Sequence, residues 1–276
     1  MKIDSHQHFW IFDPVSDNRI DNSMKKMQRD LLPENLWPVL KKNGFDGCVI
    51  MQSDQSEVEN GFQLNNAAGY DMIKGVIGWV DLQTEDIGER LAYYAGFEKM
   101  KGFRHVLQSE KQRDFMLRPA FLNGVGLLNK YNFTYDILIF KDQLSYTAGL
   151  VSRFPDQPFV LDHIGKPDIR NGEIEEWKKD IAALAKHENV YCKVSGMITE
   201  ADWHKWKPDD FAPYLDVITE AFGTNRLMYG SDWPVCCVAG TYGQVVGLVE
   251  GYFANFGESE KQMIFGDNAT KFYNLK

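Results

Sequence analysis

Short apolar runs alternate with amphipathic segments along the whole chain. Most of the runs are continuously apolar, which is typical of parallel strands that are covered on both faces. They predict eight strands, at Lys2–Ser5, Phe45–Met51, Lys74–Val80, Lys101–Leu107, Phe133–Phe140, Pro158–Asp162, Val190–Val194 and Arg226–Tyr229.

Between several of these runs, apolar residues recur at helical spacing. In the clearest case, Trp177, Ile181 and Leu184 share one helix face, and charged residues occupy the opposite face. Pro38 is expected to weaken the first of these helices, because proline removes a backbone donor. The spacing predicts helices over Glu34–Lys42, Arg118–Lys130, Ile174–Lys186, Phe211–Phe222 and Tyr242–Phe253.

The alternation of strand and helix predicts βα units joined by right-handed crossovers. Eight such units in 276 residues match the size of a (β/α)8 TIM barrel, which belongs to the α/β class. A doubly wound open sheet is the alternative, but no G-x-G-x-x-G follows the first strand. No low-complexity stretch or Pro/Ser-rich linker interrupts the pattern. We therefore expect one barrel domain over residues 1–276.

Charge and composition narrow the range of partners and compartments. The chain has 30 Lys+Arg against 39 Asp+Glu, a net charge of -9, which argues against nucleic acid and anionic membranes as partners. No apolar run approaches the roughly 18 residues of a membrane-spanning helix. The start of the chain lacks the apolar stretch of a secretory signal. Cys48, Cys192, Cys236 and Cys237 lack metal-ligand spacing, so we expect reduced thiols and a cytoplasmic location.

Candidate chemistry follows the ends of three predicted strands, where a barrel carries its catalytic side chains. His6 and His8 end the first strand, and residues two apart on a strand project to one side, where both imidazoles can hold one metal ion. His163 follows the sixth strand and Asp232 follows the eighth. Each has an ordinary alternative, as a solvated histidine, a histidine bonded to a carbonyl, or an Asx turn. Their joint placement predicts a site.

The remaining strands carry fewer candidates. Arg104 and His105 are adjacent on the fourth strand, so they point to opposite faces and only one is expected to enter the barrel. The sequence does not decide which of the two it is. The fifth strand ends without a metal-binding side chain, and the seventh brings Lys193 and Ser195.

The longer phrases around these residues resemble a known family. IDSHQHFW at 3–10, GFRH at 102–105, LDHIGKP at 161–167 and YGSDWPV at 229–235 are similar to the sugar-lactonase branch of the amidohydrolase superfamily. CKVSGMITEADW at 192–203 looks most like the L-fuconolactonases. The resemblance runs from residue 2 to residue 269, so it covers nearly the whole chain.

The resemblance implies a lactonase, a carboxylic ester hydrolase that opens L-fuconolactone or a related aldonolactone to the free acid in L-fucose catabolism. For this reaction, Asp232 is expected to act as the general base toward water. Donors among His163, His105, Arg104 and Lys166 are expected to stabilise the oxyanion. Three tryptophans flank the same motifs and either stack on the sugar or pack the rim, namely Trp10, Trp203 and Trp233.

The metal content implied by the resemblance is low. Binuclear members of the superfamily carry a histidine at the end of strand five and a bridging lysine or carboxylate on strand four, and this sequence has neither. At most one divalent, zinc-like ion is expected, held by His6, His8 and Asp232. Some lactonases of the branch work without a metal, so a dispensable ion is the alternative.

Two other functions stay open at the level of sequence. A related hydrolase or decarboxylase acting on a pyrone or aromatic acid would need several arginines around its pocket. Arg104 is the only arginine in the strand-end motifs, which favours a neutral polyol. A non-catalytic sugar-binding barrel is the third possibility. The oligomeric state is not indicated by the sequence.

Overall fold

A computed structural model of the chain describes residues 1–15 and 20–276. Within these ranges, eight parallel strands form one sheet in which each strand pairs with the next along the chain. The strands are β1 (Ile3–Gln7), β2 (Gly47–Met51), β3 (Ile73–Gly78), β4 (Met100–His105), β5 (Thr134–Ile137), β6 (Phe159–Leu161), β7 (Val190–Val194) and β8 (Leu227–Tyr229).

The first and last strands approach each other at their C-terminal ends. Gln7 forms a parallel bridge with Trp233. The His8 amide donates to the Trp233 carbonyl at 2.8 Å, and the Asp232 amide donates to the His6 carbonyl at 2.8 Å. The sheet is therefore a nearly closed barrel with helices between its strands, which confirms the predicted (β/α)8 fold. The doubly wound alternative is wrong, because the strand order never reverses.

The five predicted helices are present, with ends within two residues of the predicted bounds. Pro38 lies inside the first helix without ending it, and Pro33 occupies the first turn, where its missing N–H has no cost. The helices are α1 (Pro33–Lys42), α2 (Glu57–Gly69), α3 (Ile87–Tyr94), α4 (Pro119–Leu128), α5 (Leu144–Val151), α6 (Glu175–Leu184), α7 (Ala212–Phe222), α8 (Tyr242–Tyr252), α9 (Glu258–Gln262) and α10 (Asn268–Phe272).

Helices α2, α3, α5, α9 and α10 were not predicted, and α2 shows a physical reason. Two buried positions on its inner side are the amides Asn60 and Gln63. The Asn60 side chain donates to the Trp79 carbonyl at 2.7 Å and accepts from the Trp79 amide at 2.9 Å. Gln63 donates to the Phe9 carbonyl at 2.8 Å. Because polar side chains occupy this buried face, apolar residues do not recur clearly at helical spacing, and the sequence gives only a weak signal for this helix.

The barrel interior is filled at one end by the C-terminal segment. Strand residues such as Ile3, Val49 and Met228 form a cluster with Phe272, Tyr273 and other residues of α10 and the tail that follows it. Ile3 begins β1, whereas His8 follows its last residue. The C-terminal segment therefore closes the end of the barrel that begins the strands and leaves the other end open.

The cysteines and the helices bear on the expectations about redox state and membrane insertion. Cys48, Cys192 and Cys236 are buried, Cys237 is half-buried, and all four thiols are free, as expected. In the part of the chain that the structure describes, no helix combines the length and apolar character needed to span a bilayer.

Candidate active site

His6, His8 and Asp232 meet at the open end of the barrel. The register of β1 shifts between Asp4 and Gln7. Asp232 Oδ1 lies 3.8 Å from His6 Nε2 and 3.5 Å from His8 Nε2. The structure therefore brings the two histidines to one side, as their spacing indicated, and adds the carboxylate that follows β8.

Hydrogen bonds on the far side of each imidazole orient the two rings. The Nδ1–H of His8 donates to the Met51 carbonyl at 3.0 Å, so Nε2 is the ring nitrogen that faces Asp232. His6 Nδ1 lies 3.3 Å from Asp162 Oδ1. Burial lowers the pKa of His6 well below its usual value, so this imidazole is neutral at neutral pH.

This donor set fits one zinc-like ion. One ligand atom from each of His6, His8 and Asp232 lies within 4.8 Å of the others. Two imidazoles and a carboxylate are ordinary zinc ligands, and three protein ligands leave a position open for water. The carboxylate behind His6 and the carbonyl behind His8 are the outer partners that usually orient metal-binding histidines.

A second possible group joins His6 and His163 with Asp162. Here the carboxylate is already engaged, because Arg104 Nη1 and Lys193 Nζ each lie 3.0 Å from it. These two cations compensate its charge, so the group with Asp232 suits a divalent ion better.

His163 is held by an unusual turn after β6. His163, Ile164, Gly165 and Lys166 all have positive φ, between 48° and 73°. The imidazole Nδ1 lies 3.0 Å from the Ser195 hydroxyl. Burial lowers the pKa of His163 to about 4, so the ring is neutral at neutral pH.

Asp232 also adopts the left-handed region, with φ of 57°. The adjacent Ser231 is fixed by Asp4, whose carboxylate accepts from the Ser231 amide at 2.9 Å and from its hydroxyl at 2.6 Å. Burial raises the pKa of Asp232, but the interactions with His163 and His8 lower it more, and the net pKa lies below the usual value. At neutral pH Asp232 is therefore an anion.

Side-chain contacts show which residue of β4 enters the barrel. Arg104 pairs with Asp136 and His105 pairs with Ile137. The Arg104 guanidinium reaches the interior, where Nη1 donates to Asp162 Oδ2 at 3.0 Å and Nη2 donates to the Gln52 carbonyl at 2.6 Å. Arg104 therefore belongs to the site.

His105 points the other way, into the layer between strand and helices. Its ring stacks on Phe115 with centroids 5.1 Å apart, and its Nε2 lies 2.7 Å from Glu110. It does not contribute to the cavity formed by the described residues. This placement corrects its inclusion among the catalytic candidates.

A buried charge network lies beneath His6. Lys193 Nζ lies 2.5 Å from Asp136, 3.0 Å from Asp162 and 3.3 Å from His6 Nδ1. The Tyr273 hydroxyl donates to Asp136 at 2.7 Å. Burial raises the pKa of Asp136 to about 6 against the lowering effect of Lys193.

The sequence alone does not assign this network. Asp162 lies within the LDHIGKP phrase at 161–167, and Lys193 lies on the seventh strand without an expected role. The available signal was the presence of charged residues, Asp136 and Lys193, within otherwise apolar strands.

Above the site, the described residues enclose a cavity of about 520 Å³. Its polar floor and sides include His8, Gln52, Arg104, His163, Lys166 and Asp232. Its apolar wall includes Trp10, Ile11, Met24, Phe62, Leu138 and Val235. The cavity is therefore lined by the Asp232 carboxylate and two cationic side chains together with apolar residues.

The three candidate tryptophans do not share this cavity. Trp10 lines it, and the indole N–H of Trp10 donates to the Arg29 carbonyl at 3.1 Å. Trp203 lies in a separate groove with Trp206. Trp233 is buried against Phe9, with ring centroids 6.1 Å apart. Trp203 and Trp233 therefore fit the packing alternative, and only Trp10 is placed to contact a ligand.

Comparisons with known proteins bear on the family. A family model described as amidohydrolase matches residues 3–275. An L-fucono-1,5-lactonase from Burkholderia multivorans is 35% identical over 286 aligned positions, which cover 100% of this chain and 96% of the relative. An L-fucono-1,5-lactonase from Burkholderia ambifaria is 32% identical, covering 99% of this chain and 96% of the relative.

A solved structure agrees with these relatives. A crystal structure of an amidohydrolase from Burkholderia multivorans with bound zinc covers 100% of both chains at 34% identity, with a TM-score of 0.96. The prediction of a lactonase-type enzyme agrees with the names of the relatives. The similarity of the motifs to the sugar-lactonase branch is confirmed, and the chain belongs to the amidohydrolase family.

Proposed function

We propose that this protein hydrolyses L-fucono-1,5-lactone, or a closely related aldonolactone, to the free aldonic acid as a step of sugar catabolism. The observation that carries the proposal is the anionic Asp232, set 3.5 Å from His8 Nε2 on the floor of a cavity of lactone size. Support comes from two relatives named L-fucono-1,5-lactonase that match nearly the full length of both chains.

Asp232 supplies the proton transfers that ring opening needs. A lactone opens when water attacks its carbonyl carbon and the ring oxygen leaves with a proton. Asp232 accepts a proton from the attacking water and later delivers it to the ring oxygen. Its lowered pKa keeps it in the anionic, proton-accepting form at neutral pH.

Arg104 and Lys166 supply positive charge for the oxyanion. Arg104 is held by Asp162 and Gln52. Lys166 Nζ lies 3.6 Å from Glu200 and 5.2 Å above the Phe140 ring. Because both cations are positioned before substrate arrives, they can stabilise developing negative charge without reorganisation. The neutral His163 adds a further polar contact at the same rim.

We propose one divalent, zinc-like ion at His6, His8 and Asp232. Such an ion supplies Lewis-acid polarisation and lowers the pKa of bound water. The zinc bound in the crystal structure of the Burkholderia multivorans amidohydrolase supports this assignment. The charges of Asp232, Arg104 and Lys166 belong to the chain itself, so the ion can be dispensable for basal turnover.

The cavity lining favours a neutral deoxy-sugar lactone over an aromatic or pyrone acid. Among the described lining residues, Arg104 and Lys166 are the two cations, and both have carboxylate partners. A substrate with several carboxylates would leave its charges poorly compensated. The apolar wall with Met24 and Phe62 suits the methyl group of a 6-deoxy sugar. Four free thiols favour a reducing, cytoplasmic compartment for this reaction.

A lactone panel tests the proposal. Purified protein is mixed with six-carbon aldonolactones and with pyrone carboxylates, and acid release is followed with a pH indicator, with and without chelator. We expect L-fucono-1,5-lactone to open well above its spontaneous rate. Absence of turnover across the aldonolactones, with protein shown to be folded, would refute the function. Selective turnover of pyrone acids would establish the alternative.

A further inference from the structure

The Arg104 guanidinium contacts the nitrogen of His6 that a metal ion would need. Arg104 Nη1 lies 3.3 Å from His6 Nε2. A guanidinium can only donate, so the lone pair of His6 Nε2 is the acceptor in this contact. The other ring nitrogen faces Asp162 and Lys193, at 3.3 Å from each. Nε2 is therefore the nitrogen available to a ligand on the Asp232 side.

Arg104 is not free to move away from this position. Nη1 donates to Asp162 at 3.0 Å, and Nη2 donates to the carbonyl and the side-chain oxygen of Gln52 at 2.6 and 3.0 Å. The residue is only 3% exposed. Nε has no hydrogen-bond partner among the residues that the structure describes. The guanidinium is thus held in the interior from two sides, next to His6.

We propose that Arg104 competes with a divalent ion for His6 Nε2 and thereby weakens metal binding at His6, His8 and Asp232. One lone pair cannot accept from Nη1 and coordinate an ion at the same time. The positive charge of the guanidinium also repels a cation beside it. In the metal-free protein, Arg104 provides the positive charge next to His6 that the ion provides in the metal-bound form.

The inference rests on the metal site of the proposed function, but its test measures binding and not turnover. Zinc is titrated into chelator-treated protein by calorimetry, with Arg104→Gln compared with the native protein. We expect Arg104→Gln to bind zinc at least about tenfold more tightly, within the range by which outer residues change metal affinity. His6→Ala should abolish the binding in both backgrounds.

A matched control replaces an arginine outside the barrel. Arg90 on α3 pairs with Glu57, and Arg90→Gln should leave zinc affinity unchanged. Circular dichroism establishes that each variant is folded. Should Arg104→Gln fail to fold, Gln52→Ala removes one contact of Nη2 and keeps the charge, and a smaller increase in affinity is expected.

Three results would overturn the inference. Zinc affinity in folded Arg104→Gln that is unchanged or weaker excludes competition at His6. If Gln52→Ala is used because Arg104→Gln does not fold, unchanged zinc affinity in Gln52→Ala also excludes competition at His6. Absence of zinc binding in the native protein and the variant shows that there is no ion to compete with. None of these results affects the lactonase proposal, which is judged by lactone turnover alone.

Discussion

At the residue scale, the charge state and position of Asp232 support the general-base role that we propose for it. The net pKa of the Asp232 carboxylate lies below its usual value, so it is an anion at neutral pH, and it lines the cavity beside the imidazoles of His6 and His8. Asp232→Asn keeps the shape of the side chain and removes its proton affinity. We therefore expect turnover of L-fucono-1,5-lactone to fall by at least about 100-fold, with a much smaller change in KM.

The control for this variant is Asp209→Asn, at an exposed position outside the site, which should retain native turnover. Steady-state kinetics on both proteins decides the role. Near-native turnover by Asp232→Asn would refute the general-base role and leave Asp232 with a structural role in the turn after β8.

Lys193 shows how a single buried charge supports the site from below. Its ammonium lies between Asp136 and Asp162, and all three side chains are fully buried. Lys193→Met would leave two carboxylates in the barrel interior without this cation. Removing one partner of a buried pair costs about 3–5 kcal/mol, so we expect a large fall in the free energy of unfolding, measured with urea.

The comparison for Lys193→Met is Lys276→Met, which removes a surface pair with Glu98. Solvent screens that pair, so the unfolding midpoint should not change measurably. Equal stability of Lys193→Met and the native protein would show that the network carries no net stabilisation.

At the scale of elements, the loop after β7 positions the turn after β6. Gly196 has φ of 63°, and a Cβ at this position would lie 2.4 Å from His163 Nδ1. Gly172 has φ of 68°, and a Cβ there would meet nothing within 4 Å. A side chain at either glycine would therefore strain the backbone, but only a side chain at Gly196 would meet His163.

Comparing alanine substitutions at the two glycines therefore distinguishes the effect of backbone strain from the effect of displacing His163. Alanine in the left-handed region costs about 1–2 kcal/mol at either position. Gly196→Ala should also push the imidazole away and lower lactone turnover, whereas Gly172→Ala should lower only the thermal midpoint. Thermal melts and turnover assays on both variants check this. Equal turnover by the two variants would contradict the positioning role of Gly196.

For the whole molecule, the C-terminal segment covers the apolar residues at one end of the barrel. Phe272, Tyr273 and Leu275 pack on strand residues inside the barrel, and Tyr273 bonds Asp136. Deleting residues 270–276 would expose this apolar surface to water. We expect a lower thermal midpoint and increased binding of a hydrophobic dye, whereas deletion of Lys276 alone should have neither effect. A thermal midpoint equal to that of the native protein after the longer deletion would show that the C-terminal segment does not stabilise the barrel.

The fold was largely predictable because its signals are local. Apolar runs and helical spacing each extend over a few neighbouring residues, and all eight strands formed where these runs lie. Helix α2 was missed because its buried face is made of Asn60 and Gln63, whose partners Trp79 and Phe9 are distant in sequence. An amide is recognisable as a core residue only when those partners are known.

The sequence by itself determined the barrel, its strand ends and the residues His6, His8, His163 and Asp232, since a strand and the turn after it are encoded in adjacent positions. Only the tertiary structure decided that Arg104 enters the barrel and His105 does not. It also brought Lys193, Asp136 and Asp162 together beneath His6. Side-chain direction and charge pairing depend on the register between strands, and that register is set by contacts between residues far apart in the chain.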